Sequence, residues 1–447
     1  MERNDPPKLQ KIIAHIDMNS YFASVAQQDN PSWRGRPVGV CEHLGGIIIA
    51  PSVEAKRWGI KTGMPVWEAR KLYPKIILTP TDPQRYRYYT AKFLTVFEDY
   101  TDRIEKYSID EAFLDLTQAC NIRTKQNGEW LLTNPWLEAV RISQEIKTRM
   151  KTEVGDWIRC SVGIGYSKLI AKVASDLQKP DGLVVVRPED KDMLYHRLDL
   201  EDIPGIGRRM KRNLGTLGIT TLRELRDYPL SKLVAHYGIQ GYHLHSMGQL
   251  EGSWKENFDE TLDASDGTMK SIGHMYTIPR EYRDKKVMRS VLYKLSEMVG
   301  ARLRVNGVMG NGIHVHVHDP ERVHVGKGAQ LGHYLQDGRD IYMEALNLLR
   351  QSGMLAEAEE RSYLVGVTVF GLVPEAGQQN LFEGPGKGKT RSQLMRALDK
   401  INTKYEDFTV ARVPAFLARD IIRDSVGFGR MKEFKTTYMK GGLGGFK

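Results

Sequence analysis

The sequence predicts a multidomain protein of the α/β (α+β) class, and three changes of pattern along its 447 residues support that prediction. Residues 11–195 alternate apolar strand-like runs with amphipathic helical runs, as α/β units do. Residues 196–250 contain short helical runs broken by glycine. Residues 251–266 contain six acids against one lysine, which is typical of a linker, and a further domain of helix and strand patterns begins near residue 268.

Apolar runs place the elements of these regions. In the first region they predict strands at residues 37–40, 46–50, 158–164 and 182–186 and a helix at residues 136–150. In the last region they predict a helix at residues 287–304, strands at 312–318 and 363–370, and a helix at 392–404. Units of the first kind usually place their chemistry at strand ends and turns, so acids in such places are candidate site residues.

Composition excludes several classes of protein. The chain is 41% hydrophobic and 27% charged, which is typical of a globular protein and not of a disordered one. No run approaches the roughly 20 apolar residues of a membrane-spanning helix, and the polar start does not match a signal peptide. The three cysteines, Cys41, Cys120 and Cys160, are too few and too far apart for a disulfide framework or a zinc site. We therefore expect a reducing, cytoplasmic setting.

Net charge is +10, and most of the excess lies near the carboxyl end, where residues 271–447 contain 27 basic and 19 acidic residues. A basic domain of this kind is expected to rest on a polyanion. On charge alone, a merely soluble basic protein is the alternative.

Two adjacent carboxylates, Asp110 and Glu111, interrupt a strand-like run. Successive strand residues point to opposite faces, so both side chains converge only if the backbone turns there, and a cation would explain holding two anions together. Asp17 ends a second apolar strand. The three acids predict a hard-metal site for phosphate chemistry, because Mg²⁺ is typically bound by one or two carboxylates and substrate phosphates. For the adjacent pair alone, a solvated hairpin turn is the alternative.

The segment after Asp17 is suited to an anion. A helix that starts near Asn19 would direct free backbone N–H groups at a phosphate. Tyr21 and Phe22 then place aromatic rings beside the same site. Ordinary core packing is the alternative, and it is favoured for Tyr21.

Lysines in two further segments could contact phosphate. Residues 50–63 predict a short helix, capped by Ser52 and ended by Gly59, whose cationic face includes Lys56. A solvated basic face is the commoner explanation of such a run. Lys179 precedes a proline turn, from which it could reach a phosphate as a point charge, although a generic turn has the same pattern.

A glycine hairpin over residues 203–212 is a sharper signal. Gly205 and Gly207 allow a tight turn between helices, and Arg208 and Arg209 follow at once. The pattern resembles the helix-hairpin-helix motif, which grips DNA phosphates without reading sequence. A simple glycine hairpin is the alternative.

Two patterns lie in the last domain. In the first, His314, His316 and His318 alternate with apolar residues, which predicts that they form the polar face of a half-buried sheet. A metal site is the alternative. Residues 378–382 read Gln-Gln-Asn-Leu-Phe and are expected to lie in a loop. An exposed Leu-Phe pair is unusual in water.

With these motifs the chain resembles the Y-family (translesion) DNA polymerases of the bacterial DNA polymerase IV type, over about residues 11–430. The motifs are His-Ile-Asp-Met-Asn-Ser-Tyr-Phe from residue 15, Ser-Ile-Asp-Glu at 108–111, Lys-Pro-Asp-Gly at 179–182, Pro-Gly-Ile-Gly at 204–207 and Lys-Ser-Ile-Gly at 270–273. The resemblance implies a right-hand polymerase. Its parts would be a palm at 11–19 and 86–195, small fingers at 20–85, a helix-hairpin-helix thumb at 196–250, a linker at 251–267, a little-finger domain at 268–430 and a basic tail at 431–447.

The resemblance also implies roles for residues of this sequence. Two Mg²⁺ ions would be bound by Asp17, Asp110, Glu111 and the carbonyl of Met18. Phe22 would be the steric gate against ribonucleotides, and the nucleotide would contact Tyr21, Phe22, Lys56 and Lys179. DNA would contact Gly205, Gly207, Arg208 and Arg209, and a sliding clamp would bind Gln378, Leu381 and Phe382. The implied partners are primer-template DNA, deoxynucleoside triphosphates and the clamp, and a monomer is expected.

Three positions depart from the family pattern. Val53 and Lys56 stand where the fingers usually have tyrosine and arginine, which replaces a forked guanidinium by a point charge. Asn19 replaces a common aspartate, which makes it a doubtful metal ligand, and Gln379 occupies the usual leucine position of the clamp motif. The changes at Val53 and Lys56 predict looser triphosphate binding, and the change at Gln379 predicts weaker clamp docking.

The resulting hypothesis is a Mg²⁺-dependent, template-directed DNA polymerase of low fidelity and low processivity that inserts opposite damaged bases. A catalytically idle scaffold bound to the clamp is one alternative, disfavoured because all three carboxylates are present. A palm-type nucleotide cyclase is another, but it would need neither a DNA-gripping hairpin nor a basic final domain.

Overall fold

The structure is a computed structural model. It describes residues 9–42, 46–121, 123–126, 129–251, 269–279, 282, 287–318, 325–361, 363–375, 387–405, 409–418 and 421–422. These residues form two compact units, of which the first ends at residue 251 and the second begins at residue 269. Within the described part of the chain, no helix is long and apolar enough to cross a membrane. The three cysteines are buried free thiols.

The first unit mixes strands and helices. Its strands are β1 (Ile13–Met18), β2 (Val38–Cys41), β3 (Ile48–Pro51), β4 (Ile77–Pro80), β5 (Ile104–Lys106), β6 (Glu111–Asp115), β7 (Arg123–Gln126), β8 (Glu129–Leu132), β9 (Cys160–Gly165) and β10 (Leu183–Val186). Its helices are α1 (Tyr21–Asp29), α2 (Val53–Arg57), α3 (Val66–Leu72), α4 (Pro83–Glu98), α5 (Thr117–Cys120), α6 (Pro135–Arg149), α7 (Lys168–Leu177), α8 (Lys191–Arg197), α9 (Arg208–Gly215), α10 (Leu222–Asp227), α11 (Leu230–Tyr237) and α12 (Ile239–Gly248). Short 3₁₀ turns lie at Pro31–Trp33, Pro188–Asp190 and Leu200–Asp202, and a π turn lies at Met150–Val154.

A five-stranded sheet of order β10-β9-β1-β6-β5 forms the centre of this unit. Strand β1 lies between two antiparallel neighbours, and its residues are almost all buried, as expected of an apolar strand with both edges paired. The register pairs Asp17 with Glu111 across β1 and β6. Paired residues share a face of a sheet, so the fold brings these two carboxylates together.

Two smaller assemblies complete the first unit. Strands β3, β2 and β4 form a three-stranded sheet that shares a small apolar core with α2 and α3. The side chain of Ser52 caps α2 by accepting from the N–H of Ala55, and Gly59 has a φ of +79°, which is the left-handed conformation that ends helices. Helices α7 to α12 share another apolar core, which includes Ile203 and Ile206 of the glycine hairpin.

The second unit is a four-stranded sheet with helices. Its strands are β11 (Ser271–Thr277), β12 (Val308–His318), β13 (Val325–Leu335) and β14 (Leu364–Pro374), in the order β11-β14-β12-β13. Its helices are α13 (Met288–Val305), α14 (Gly338–Gln351), α15 (Leu355–Arg361), α16 (Lys387–Tyr405) and α17 (Val413–Phe416). In β12, Ile313, Val315 and Val317 are buried while the alternating histidines are only partly buried, so the predicted polar face is confirmed.

The predicted elements are present within a few residues of their expected bounds. The largest shift is in α16, which begins at Lys387 rather than at residue 392. The division into palm, fingers, thumb and little finger stays a prediction. Most of the predicted linker and the whole predicted tail lie outside the described residues.

Candidate active site

Three carboxylates lie together at one end of the β1–β6 pair. Asp17 and Glu111 are register partners, and Asp110 precedes β6 in a bend over residues 108–110. The N–H of Met18 donates to the carbonyl of Asp110 at 2.9 Å, which ties the bend to β1. The hydroxyl of Ser108 donates to Asp110 Oδ1 at 2.5 Å. The predicted backbone turn at this pair is therefore confirmed.

Two lysines contact these acids. Lys179 Nζ lies 2.9 Å from Asp17 Oδ1 and 2.7 Å from Asp176 Oδ1. Lys172, on α7, contacts Glu111 Oε2. Both lysines come from α7 or the turn that follows it, so this helix brings positive charge to the carboxylates.

A buried histidine supports Glu111 from within the sheet. His15 is fully buried, and its Nε2 lies 3.0 Å from Glu111 Oε2 while its Nδ1 lies 2.8 Å from Ser175 Oγ. Its ring also packs against Phe113, its register partner, at 4.5 Å between centroids. His15 is thereby fixed on both ring nitrogens, and it orients the Glu111 carboxylate.

The protonation of the three acids follows from burial and these partners. Burial raises the pKa of Asp17, although Lys179 opposes the shift. Burial also raises the pKa of Asp110, and the charge of Glu111 adds to it. Burial disfavours ionised Glu111 as well, but the His15 hydrogen bond and the Lys172 charge outweigh it and lower its pKa to about 2. The ionised forms of Asp17 and Asp110 are therefore disfavoured, because burial removes the water that would solvate their charge.

The donor set fits a divalent cation. Asp17 and Asp110 supply hard oxygen ligands whose charged form is disfavoured in this desolvated place, and a nearby cation would favour it. Among the residues that the structure describes, no three His, Cys, Asp or Glu side chains already converge as metal ligands. Two of the carboxylates are turned to Lys179 and Lys172.

Two aromatic residues open α1 beside the acids. Phe22 is 4% exposed and stacks on Tyr86, with 4.2 Å between ring centroids. The hydroxyl of Tyr21 donates to the carbonyl of Tyr86 at 2.7 Å and lies 2.8 Å from Thr90 Oγ1. Tyr21 thus has the environment of a core residue, and its predicted nucleotide contact stays a prediction.

The predicted triphosphate residues converge from two segments. Partial burial and the nearby charge of Lys179 lower the pKa of Lys56 on α2, and Asp17 opposes the shift. Lys56 is therefore close enough to Lys179 and Asp17 for their charges to act on it. Val53 opens the same helix without contributing a phenol.

Asn19 is bonded away from the carboxylates. Its Nδ2 donates to Ser161 Oγ at 2.9 Å, and its Oδ1 accepts from the N–H of Asp181 at 2.7 Å. Asp181 lies in the turn that contains Lys179. Asn19, a doubtful metal ligand from the sequence, therefore holds in place the turn that contains Lys179.

The glycine hairpin has the predicted shape. Gly205 has a φ of +103°, a conformation that favours glycine, and Gly207 precedes the first residue of α9. Arg208 and Arg209 are exposed, and neither is in an ion pair with another described residue. Contact with DNA at these residues stays a prediction, and the predicted clamp motif, Gln378, Leu381 and Phe382, lies outside the described residues.

Sequence reasoning missed His15 and Lys172. His15 lies two residues before Asp17 in the same strand, so strand periodicity alone puts it on the face of the acids. Lys172 had no such signal, because its approach to Glu111 depends on how α7 packs on the sheet.

Comparison with known proteins identifies the class. The impB/mucB/samB family matches residues 16–176, and the impB/mucB/samB family C-terminal domain matches residues 269–381. DNA polymerase IV of Moorella thermoacetica is 35% identical over 415 residues, covering 92% of this chain and 97% of that protein. DNA polymerase IV of Pelotomaculum thermopropionicum is 32% identical over 93% of this chain and 98% of that protein.

Solved structures agree with the sequence relatives. The Y-family DNA polymerase chimera Dbh-Dpo4(243-245)-Dbh has a TM-score of 0.66 and 27% identity, over 81% of this chain and 99% of that one. The insertion ternary complex of Dbh DNA polymerase has a TM-score of 0.53 and 26% identity over the same shares. The chain belongs to the impB/mucB/samB family, the Y-family DNA polymerases of the bacterial DNA polymerase IV type. The predicted fold class and the predicted enzyme class, a DNA-directed DNA polymerase, are confirmed.

Proposed function

We propose that the protein adds deoxynucleotides to a primer 3′ end under the direction of a DNA template, opposite damaged as well as undamaged bases. Low fidelity and low processivity belong to the same proposal. The observation that carries it is the grouping of Asp17, Asp110 and Glu111 beside two lysines, in a chain of the Y-family. Partners are then primer-template DNA and deoxynucleoside triphosphates, as the similarity to DNA polymerase IV and to the insertion ternary complex of Dbh DNA polymerase suggests.

The carboxylates would bind two Mg²⁺ ions, with the carbonyl of Met18 as a further ligand. Bound Mg²⁺ supplies activation of the primer hydroxyl and neutralises charge on the leaving pyrophosphate. His15 and Lys172 keep Glu111 ionised at neutral pH, since they hold its pKa near 2. Ser108 orients Asp110 through its short hydrogen bond. These contacts hold two of the ligands in place before substrate enters.

Lys179 and Lys56 would hold the triphosphate. Lys179 is a compact charge on a flexible stem, so its ammonium group can leave Asp17 for a phosphate oxygen. Such an exchange would free the Asp17 carboxylate for a metal ion at the moment when the nucleotide arrives. Lys56 adds a second charge from α2, without the fork of an arginine.

Phe22 would exclude ribonucleotides. Its ring is stacked on Tyr86 and closely packed on its other sides, so it is held in one position and cannot turn away from a sugar placed against its edge. A ribose 2′-hydroxyl would then meet a fixed ring, whereas deoxyribose would pass. The selectivity arises from bulk alone.

The glycine hairpin and the second unit would hold the DNA. Exposed Arg208 and Arg209 begin α9, where free backbone N–H groups also favour a phosphate. Docking on a sliding clamp through Gln378, Leu381 and Phe382, and action as a monomer, are further parts of the proposal.

Primer extension tests the proposal. A labelled primer on an undamaged template, and on one with a single abasic site, is incubated with Mg²⁺ and each deoxynucleotide in turn. We expect the complementary nucleotide to be added on the undamaged template, and we expect slower addition past the abasic site. Absence of extension on both templates would favour the idle scaffold, and extension that ignores the template base would exclude template direction.

A further inference from the structure

The two short helices that pack with the small sheet of the first unit, α2 and α3, have two tryptophans that face solvent. Trp58, just after α2, is 54% exposed, and Trp67, on α3, is 60% exposed. Tryptophan is on average among the more buried residues, so two such rings on one small subdomain are unusual. The ring of Trp58 lies 5.0 Å from that of Tyr73, which follows α3. Trp58 thus packs on Tyr73, and both tryptophans keep more than half of their surface exposed to solvent.

Unpaired positive charge surrounds these rings. Residues 46–80 contain six basic and two acidic residues. Apart from Lys56, which is coupled to the active site, five exposed cations remain: Arg57, Lys61, Arg70, Lys71 and Lys75. None of the five is in an ion pair with another described residue. Of the two acids, Glu54 accepts a hydrogen bond from Gln27.

Helix α3 places ring and charge on one face. Trp67, Arg70 and Lys71 are spaced three and four residues apart, so they share the exposed side, while Val66 and Ala69 point to the core. Lys71 Nζ lies 4.7 Å from the centroid of the Trp67 ring. Trp58 and Tyr73 meet at the carboxyl end of this helix. We call Trp58, Trp67, Tyr73, Arg70 and Lys71 the aromatic-basic face.

We propose that the aromatic-basic face binds single-stranded nucleic acid, namely the unpaired template that has not yet been copied. This inference rests on the proposed polymerase function. Every base has a ring face that stacks on an aromatic side chain, and lysine and arginine track the phosphates, so such a surface binds a single strand without sequence preference. The face has uncompensated positive charge rather than an apolar groove, which favours a polyanion over an apolar segment of a protein.

The position of the face identifies which strand it would bind. Trp58 lies two residues after Lys56, whose ammonium group is coupled to Lys179 and Asp17. A template that enters the site of the carboxylates would therefore pass close to the face. Duplex DNA, whose bases are already stacked, would gain little from these rings.

Binding measured against overhang length tests the inference. Fluorescence anisotropy of a labelled primer-template compares a 5′ template overhang of about two nucleotides with one of about twelve. We expect the full chain to bind the longer overhang at least about tenfold more tightly, from one or two stacked bases. Trp58→Ala combined with Trp67→Ala is expected to remove that gain and to leave binding of the short overhang unchanged.

Matched variants separate stacking from folding and charge. Trp58→Phe with Trp67→Phe keeps the rings and should keep most of the gain. Leu137→Ala removes another exposed apolar side chain, which is 63% exposed, and should change nothing. Arg70→Gln with Lys71→Gln should reduce the salt dependence of the gain by a slope of about one to two.

Two results would overturn the inference: no gain from the longer overhang in the unaltered chain, or an equal gain in the double alanine variant. An acidic protein partner for the same face would give the first result. Extension of the short-overhang primer is measured alongside. Its absence would refute the polymerase function itself, whereas its presence with no overhang gain refutes only the aromatic-basic face.

Discussion

Replacing Asn19 by alanine is expected to weaken the grip on the incoming nucleotide while leaving every proposed metal ligand in place. Asn19 is 6% exposed, and its side chain joins Ser161 to the N–H of Asp181. Ser161 Oγ also accepts from the N–H of Gly182 at 3.4 Å. One amide side chain therefore fastens the turn that carries Lys179 to the strand β9 beside Asp17.

The magnitude follows from the bonds that are lost. A buried group left without its partner costs about 1–3 kcal/mol, but Asp181 is exposed and its N–H can turn to water. Lys147 also holds the turn, at 2.6 Å from the carbonyl of Asp181. We therefore expect the low end, about 1–2 kcal/mol, which is a factor of about 5–30. Because Lys179 would hold the substrate in both ground and transition state, the loss should appear mainly as a higher KM for the nucleotide.

Single-nucleotide insertion under steady-state conditions measures this effect. Asn19→Ala should raise KM by that factor with a smaller change in kcat. Asn19→Asp is the control, because its carboxylate still accepts from Asp181 and the Ser161 hydroxyl can turn to donate. An unchanged KM in Asn19→Ala, with a higher Mg²⁺ requirement instead, would refute the reasoning and make Asn19 a ligand.

Three other predictions concern the gate, acid stability and the clamp. Phe22→Ala should raise the ratio of ribonucleotide to deoxynucleotide insertion, and an unchanged ratio would exclude the gate role. Burial and the charge of Arg302 lower the pKa of His274 to about 4. In the unfolded chain the pKa of this histidine is about 6.5. Between about pH 6.5 and 4 the unfolded chain therefore binds more protons than the folded chain, and the free energy of unfolding should decrease as the pH is lowered through that window. Urea unfolding of His274→Gln at pH 7 and 5 should show a weaker fall, and an identical fall would contradict this. Leu381→Ala with Phe382→Ala should abolish stimulation by a sliding clamp, and retained stimulation would exclude that motif.

Strand patterns and acid placement predicted much of the site. An apolar run that ends in Asp17 and a carboxylate pair in a second apolar run are local features, and β1 and β6 do pair so that Asp17 faces Glu111. The bend before β6 follows from the same local argument, since a regular strand would have separated Asp110 from Glu111.

Contacts that depend on packing were not predictable in the same way. Lys172 reaches Glu111 only because α7 lies against the sheet, and the sequence does not state that orientation. Asn19 has an amide oxygen that could bind a metal ion, but this oxygen accepts from the N–H of Asp181 in the turn after α7, and the amide nitrogen donates to Ser161 of β9. The exposed state of Trp67 depends on which side of α3 faces the small core. Periodicity over a helix of seven residues is too short to decide that.

The central claim is that the three carboxylates form the site of nucleotide addition, and Asp110→Asn tests it most directly. Primer extension by this variant is compared with the unaltered chain and with Asp102→Asn, which makes the same change of charge at an exposed position. A metal site supplies several kcal/mol to the transition state, so we expect a loss of roughly a thousandfold in Asp110→Asn and none in the control. Equal extension by Asp110→Asn and the unaltered chain would contradict the account.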